Sequence, residues 1–204
     1  MKIIAVGMNY SEHNKEMKNP FLPKEPVIFM KPDSALLKDG NPFFIPDFSR
    51  NIQYEAELVV KISRLGKNIT EKFARRYYDE ITIGIDFTAR DLQHKLREEG
   101  YPWEICKGFD HSAAIGDFIS IEKFDDVQNI DFSLKKNGET VQKDNSRNMI
   151  FGIDVIIAYI SRFFTLKIGD LIFTGTPAGV GNVDPNDRLE GSVQDKKLLD
   201  FKIK

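Results

Sequence analysis

The chain has 204 residues with 29 basic and 31 acidic side chains, a formal net charge of −2, 41% hydrophobic residues and one cysteine. A chain this long buries roughly 70 to 75% of its unfolded surface, so it needs neither disulfides nor a structural metal to hold a core. The balanced charge excludes the polycationic field that nucleic acid or an anionic membrane would require, and small-molecule partners are expected instead. Cys106 alone makes no internal disulfide and no thiolate zinc site. The short apolar run Ile3, Ile4, Ala5 and Val6 is broken by Gly7 and Asn9, too short for a signal core or a spanning helix, so a cytoplasmic protein is expected.

Ser11 to Lys18 offers two helical turns ending at Asn19-Pro20 with almost no apolar stripe, and reads as a mobile surface segment. Strand-like runs follow at Val27 to Met30, at Asn51 to Ile62 with Tyr54, Ala56, Leu58 and Val60 alternating, and at Ile81 to Ile85. Thr88 to Glu99 has helical character, with Thr88 as cap, Asp91 three residues on and Gly100 closing it. A strand at Phe132 to Lys135 leads into Asn137-Gly138, a hairpin turn signal because both positions favour positive φ. From Met149 to Phe164, Ile153, Ile156, Ile157, Ile160 and Phe164 recur at three and four and predict a largely buried helix. Strands at Leu171 to Phe173 and Leu198 to Ile203 complete the chain. No repeat or linker interrupts it, so residues 1–204 read as one domain. Long strands with few helices predict a β-rich α+β fold, not a doubly wound sheet.

Several residues are candidates for chemistry. Glu55 and Glu57 lie two apart on one strand face, where burial without partners would cost several kcal/mol per ion, so the options are exposure, proton sharing, basic partners or a divalent cation. An exposed strand face is the plainer option for the pair alone. Asp86 ends its strand directly before the Thr88 helix, and can either favour the helix dipole or bind metal. Together the three supply hard oxygen ligands suited to Mg²⁺ or Mn²⁺. His13 and Glu16, three apart, are either a solvated pair or a base with its orienting carboxylate. Lys107 stands among Trp103, Ile105 and Phe109, a partly desolvated setting for an ammonium, while Cys106 reads as a small buried hydrophobe. The loop from Phe173 to Gly181 fits no nucleotide motif, and is either a plain turn or a backbone cradle for a carboxylate.

Six ordered blocks carry a resemblance: Gly7-Met-Asn-Tyr-Ser-Glu-His-Asn-Lys-Glu16, Phe29-Met-Lys-Pro32, Tyr54-Glu-Ala-Glu-Leu58, Asp86-Phe-Thr-Ala-Arg-Asp-Leu-Gln93, Lys107-Gly-Phe109 and Thr174-Gly-Thr-Pro-Ala-Gly-Val-Gly181. Across nearly its whole length the chain resembles the catalytic domain of the fumarylacetoacetate hydrolase superfamily, in its acylpyruvase and oxaloacetate decarboxylase-like branch. The resemblance implies a mixed β-sandwich roll with a few peripheral helices, a homodimer, and Mg²⁺, alternatively Mn²⁺ or Ca²⁺, held by Glu55, Glu57 and Asp86. It further implies that His13 and Glu16 form a dyad on a lid, and that Lys107, Gln93 and Thr176 contact a small 2-oxo acid. Lys31 and Arg90 also match family positions. Met8 stands where many relatives carry a basic residue. The activity implied is metal-dependent C–C bond hydrolysis of an acylpyruvate, with oxaloacetate decarboxylation at the same site. Isomerisation or hydration of unsaturated 2-oxo diacids is the enzymatic alternative, and a metal-stabilised scaffold without catalysis is the non-enzymatic one.

Overall fold

The structure, a computed structural model, describes residues 1–17 and 22–204. The end of the first predicted helix, at Lys18 and Asn19-Pro20, lies outside the described residues. In chain order the elements are β1 (Ile3–Gly7), α1 (Ser11–Glu16), β2 (Val27–Lys31), β3 (Leu36–Leu37), β4 (Ile52–Tyr54), β5 (Ala56–Ile62), α2 (Glu71–Ala74), β6 (Tyr78–Asp86), β7 (Thr88–Ala89), α3 (Arg90–Glu99) and α4 (Glu104–Lys107). They continue with β8 (Ala113–Ile115), β9 (Ile119–Ser120), β10 (Asp131–Lys136), β11 (Glu139–Asn145), α5 (Ile153–Phe163), β12 (Leu171–Phe173), β13 (Gly181–Asn182), β14 (Arg188–Val193) and β15 (Lys196–Lys202).

A mixed eight-stranded sheet runs β2-β1-β12-β5-β6-β8-β3, with β9 also paired to β6. A four-stranded antiparallel sheet, β11-β10-β14-β15, and a small sheet, β13-β4-β7, accompany it. Period-two alternation decides what each face of the large sheet meets. Leu58, Val60, Ile81, Ile83 and Ile85 point into a core shared with Phe132, Leu134, Leu189, Leu199 and Phe201 of the four-stranded sheet, and with Ile153, Ile156, Ile157 and Ile160 of α5. The opposite face carries a smaller cluster of Ile3, Ala5, Val59, Ala113 and Phe173. Gly84 is required there, since a Cβ would stand 2.8 Å from Phe173 Cε1 and from Val59 Cγ2. This β-rich roll with helices at its edge is the expected architecture.

The Asn137-Gly138 turn joins β10 to β11 with φ of 54° and 87°, as that pair predicts. Two expectations need correction. The run from Asn51 to Ile62 is two strands separated at Glu55, because β4 pairs in the small sheet and β5 in the large one. Thr88 does not cap α3: the helix starts after Ala89 without a side-chain cap, and Gly100 closes it at φ 69°. Asp91 instead accepts hydrogen bonds from Ser49 Oγ and the Arg50 N–H, tying the preceding loop to the helix start. Among the described residues no helix is long and apolar enough to cross a membrane.

Candidate active site

The antiparallel register of β5 and β6 pairs Ala56 with Ile85 and Glu57 with Gly84, and the Asp86 N–H donates to the Glu55 carbonyl at 2.8 Å. Residues opposite one another share a sheet face, so Glu55, Glu57 and Asp86 converge on the face of the smaller cluster. One carboxylate oxygen from each lies within 4.8 Å of the others, and all three residues are buried. The exposed-face option for Glu55 and Glu57 is thereby excluded.

Burial of three carboxylates demands compensation. Lys107 Nζ lies 2.7 Å from both Glu55 Oε2 and Asp86 Oδ2 and donates to Thr88 Oγ1, which explains why Thr88 serves the site and not the helix cap. Lys31 Nζ lies 2.7 Å from Asp86 Oδ1 and donates to the Lys107 and Ser112 carbonyls. Arg90 pairs with Glu55 Oε1. For Glu55, burial alone would raise the carboxyl pKa, but Lys107 and Arg90 outweigh it and hold the group well below the usual range. Glu57 makes no ion pair among the described residues; burial, then Asp86 and Glu55, push its carboxyl well above the ordinary value, against a hydrogen bond from the Gly175 N–H at 2.7 Å and the more distant charge of Lys107. Burial would lower Lys107, yet Asp86 and Glu55 reverse this and raise it.

The donor set fits a hard divalent cation. Three carboxylates are the oxygen ligands such ions take. Asp86 Oδ1, though 2.7 Å from the Lys31 ammonium, accepts no well-aligned hydrogen bond and keeps lone-pair capacity. Glu55, Glu57 and Asp86 are thus the residues that could hold the ion.

The same carboxylates line a cavity of about 180 Å³ together with His13, Gln93, Lys107 and Thr176. Every residue expected at the site from the sequence is brought into this one cavity, apart from Glu16, which stands behind His13. His13 Nδ1 lies 3.4 Å from Glu16 Oε2, and Glu16 accepts the Gly179 N–H at 3.1 Å. His13 is 8% exposed, so of its two readings the solvated pair is excluded, and burial lowers its pKa below 6.5 despite opposition from Glu55 and Glu16. The glycine-rich loop proves to be a carboxylate cradle for the protein's own Glu57 and Glu16. Arg90 donates to Gln93 Oε1, so the Gln93 NH₂ group is left to act as a donor. Gln142, unremarked in the sequence, donates from Nε2 to Thr176 Oγ1 and to the Pro177 carbonyl, and its Oε1 accepts the Ala56 N–H. Its place on a hairpin strand 34 residues before Thr176 gave no local signal.

Gly175 has φ 100°, and a Cβ there would approach Asn9 Cβ to 2.6 Å. Gly175→Ala is expected to destabilise the chain by about 1 to 3 kcal/mol in urea unfolding; a loss below about 0.5 kcal/mol would show that the loop relaxes freely.

Comparison with known proteins places this geometry. The chain is 40% identical over 202 residues to the mitochondrial oxaloacetate tautomerase FAHD1 of Mus musculus, covering 99% of this chain and 91% of the relative. It is 41% identical over 189 residues to oxaloacetate tautomerase YcgM of Escherichia coli, covering 92% and 86%. The crystal structure of fumarylpyruvate hydrolase from Pseudomonas aeruginosa, in complex with Mn²⁺ and pyruvate, superposes with a TM-score of 0.92 at 35% identity, covering all of this chain and 89% of that one. The family model described as fumarylacetoacetate (FAA) hydrolase C-terminal matches residues 2–203, and the chain belongs to that family.

Proposed function

We propose that residues 1–204 form one catalytic domain, a divalent-metal-dependent enzyme that moves a proton or breaks a bond at the carbon beside the 2-oxo group of a small 2-oxo acid. Oxaloacetate is the first substrate, through keto–enol tautomerisation. The observation that carries this reading is the convergence of Glu55, Glu57 and Asp86 in the same cavity as a neutral imidazole and a buried ammonium. A scaffold ion would need neither of the latter.

Mg²⁺ or Mn²⁺, when bound, supplies Lewis-acid polarisation of the 2-oxo group. The chain supplies the remainder. His13, held neutral by burial, takes the proton from the adjacent carbon, Glu16 stabilises the imidazolium that results, and the proton is then given back at the oxo oxygen to form the enol. Lys107 lies beside the position where negative charge develops on the oxo oxygen, and the NH₂ of Gln93 with the hydroxyl of Thr176 orients the substrate carboxylate. C–C hydrolysis of acylpyruvates is the second reading, favoured by the fumarylpyruvate hydrolase likeness. There His13 takes a proton from water, the water oxygen bonds to the distal carbonyl carbon, the C–C bond beside it breaks with its electrons passing to the pyruvate fragment, and that fragment's carbon takes up the proton from the imidazolium. Decarboxylation of oxaloacetate uses the same electron sink without water. The reading retains a cytoplasmic location, although the Mus musculus relative is named mitochondrial.

Saturating Mg²⁺ or Mn²⁺ at a hundredfold excess over Kd should raise Tm by about 5 to 10 °C. Glu57→Gln should abolish both this shift and the tautomerisation of oxaloacetate, followed by enol absorbance; full turnover in chelator would refute the metal role. In kcat/KM the acid limb should fall below pH 6.5, because activity is lost as His13 protonates and its pKa is lowered. Glu16 raises that pKa, so Glu16→Gln should move the limb to lower pH, and His13→Ala should erase it with a loss of about 10² to 10⁴-fold. A limb unmoved in both variants would remove the assigned base. The homodimer belongs to the same proposal, with the half-buried edge strand β2 and the neighbouring Tyr101 as its contact surface; sedimentation should give twice the chain mass.

A further inference from the structure

The cations lining the cavity are not equivalent. Lys107 and Arg90 are committed to Glu55 and Asp86, and His13 pairs with Glu16. Arg97 also lines the cavity, is exposed at its mouth, and its guanidinium makes no ion pair or hydrogen bond among the described residues. Its position follows from helix geometry. Arg90, Gln93 and Arg97 stand at i, i+3 and i+7 on α3, so they share one face and span about 10 Å along the axis. Arg90 and Gln93 are buried beside the carboxylate cluster, and the face opens to solvent at Arg97. The cavity is also lined by the apolar side chains of Met8, Met17, Phe29 and Trp103.

We propose that Arg97 is a specificity-determining residue that binds a second, distal carboxylate of the substrate, so that the preferred substrates are 2-oxo dicarboxylates with a short carbon chain between their acid groups. This rests on the reading above for the inner end of the substrate. The 2-oxo acid end occupies the metal and Lys107 pole, the carbon chain lies on Met8, Phe29 and Trp103, and the far carboxylate meets the unpaired guanidinium, which offers two parallel N–H donors. Arg97 also sits in the last turn of α3, where a cation favours the helix dipole. That role alone would alter stability without discriminating between ligands.

The test uses 2-oxoadipate and 2-oxohexanoate, which share a six-carbon chain and differ only in a terminal carboxylate against a methyl group. Binding to the full chain is measured calorimetrically with Mg²⁺, for wild type, Arg97→Met and Arg97→Lys, and unfolding curves report whether the variants are folded. Wild type should prefer 2-oxoadipate. Arg97→Met should weaken 2-oxoadipate about tenfold to a hundredfold while leaving 2-oxohexanoate within about twofold, and Arg97→Lys should restore part of the loss. Equal weakening of both ligands, no weakening of either, or no preference in wild type would overturn the assignment. Repeating the titrations in chelator and with Glu57→Gln separates the two levels. If affinity for both ligands is independent of metal while Arg97→Met still discriminates, the metal reading fails and the arginine assignment stands; if metal dependence holds without discrimination, the reverse is true.

Discussion

Three carboxylates driven out of water within a few ångströms of one another are the constraint around which the rest of this molecule is arranged. Each would cost several kcal/mol unpaired. Lys31 from β2, Arg90 from α3 and Lys107 from α4 arrive from separate elements to meet two of them, while among the described residues Glu57 is met by the Gly175 N–H. The asymmetry is chemical as well as geometric. Lys107 and Arg90 hold the Glu55 carboxyl well below the usual range, whereas the Glu57 carboxyl is pushed upward by burial and by its acidic neighbours, and no side chain among the described residues pairs with it directly.

The scaffold and the base are built differently. The carboxylates hang from the centre of an eight-stranded sheet whose register is fixed by cores on both faces. His13, the proposed base, sits on α1, six residues long, which could not persist in isolation. It is retained by contacts beyond itself: Asn14 Nδ2 donates to the Met8 carbonyl, and Glu16 takes the Gly179 N–H. A rigid carboxylate cluster thus faces an imidazole whose position depends on a few hydrogen bonds, the distribution expected where one part must open to admit a ligand.

Much of the fold was legible in residue patterns. The alternation in β5 and β6, the Asn137-Gly138 turn and the isoleucine spacing in α5 each follow from local periodicity and appear where expected. The break at Glu55 was not legible, because β4 and β5 have continuous alternation and differ only in the sheets they join. At the site, residue types identified candidates, but the burial of Glu55 and Glu57 hinges on a register between strands about 30 residues apart, which no local pattern encodes. Likewise Thr88 reads as a helix cap until Lys107, brought by α4, claims its hydroxyl. Resemblance across six blocks supplied what periodicity could not, the convergence of distant side chains on one cavity. Gln142 shows the remaining gap: its role is set by the Thr176 hydroxyl and the Pro177 carbonyl it braces, and nothing in its own neighbourhood announces it, whereas Lys31 is marked by resemblance alone with no role attached.

The loop from Thr174 to Gly181 reaches Glu57 at one end and Glu16 at the other. A single short backbone segment therefore ties the carboxylate cluster to the proposed His13–Glu16 dyad. Changes within it would be pleiotropic, altering electrophile and base in one stroke, and paired substitutions at the two glutamates should not behave as independent events. Ligand preference in this scaffold has more freedom to drift through the exposed end of α3 at Arg97 than through the turn that holds both glutamates.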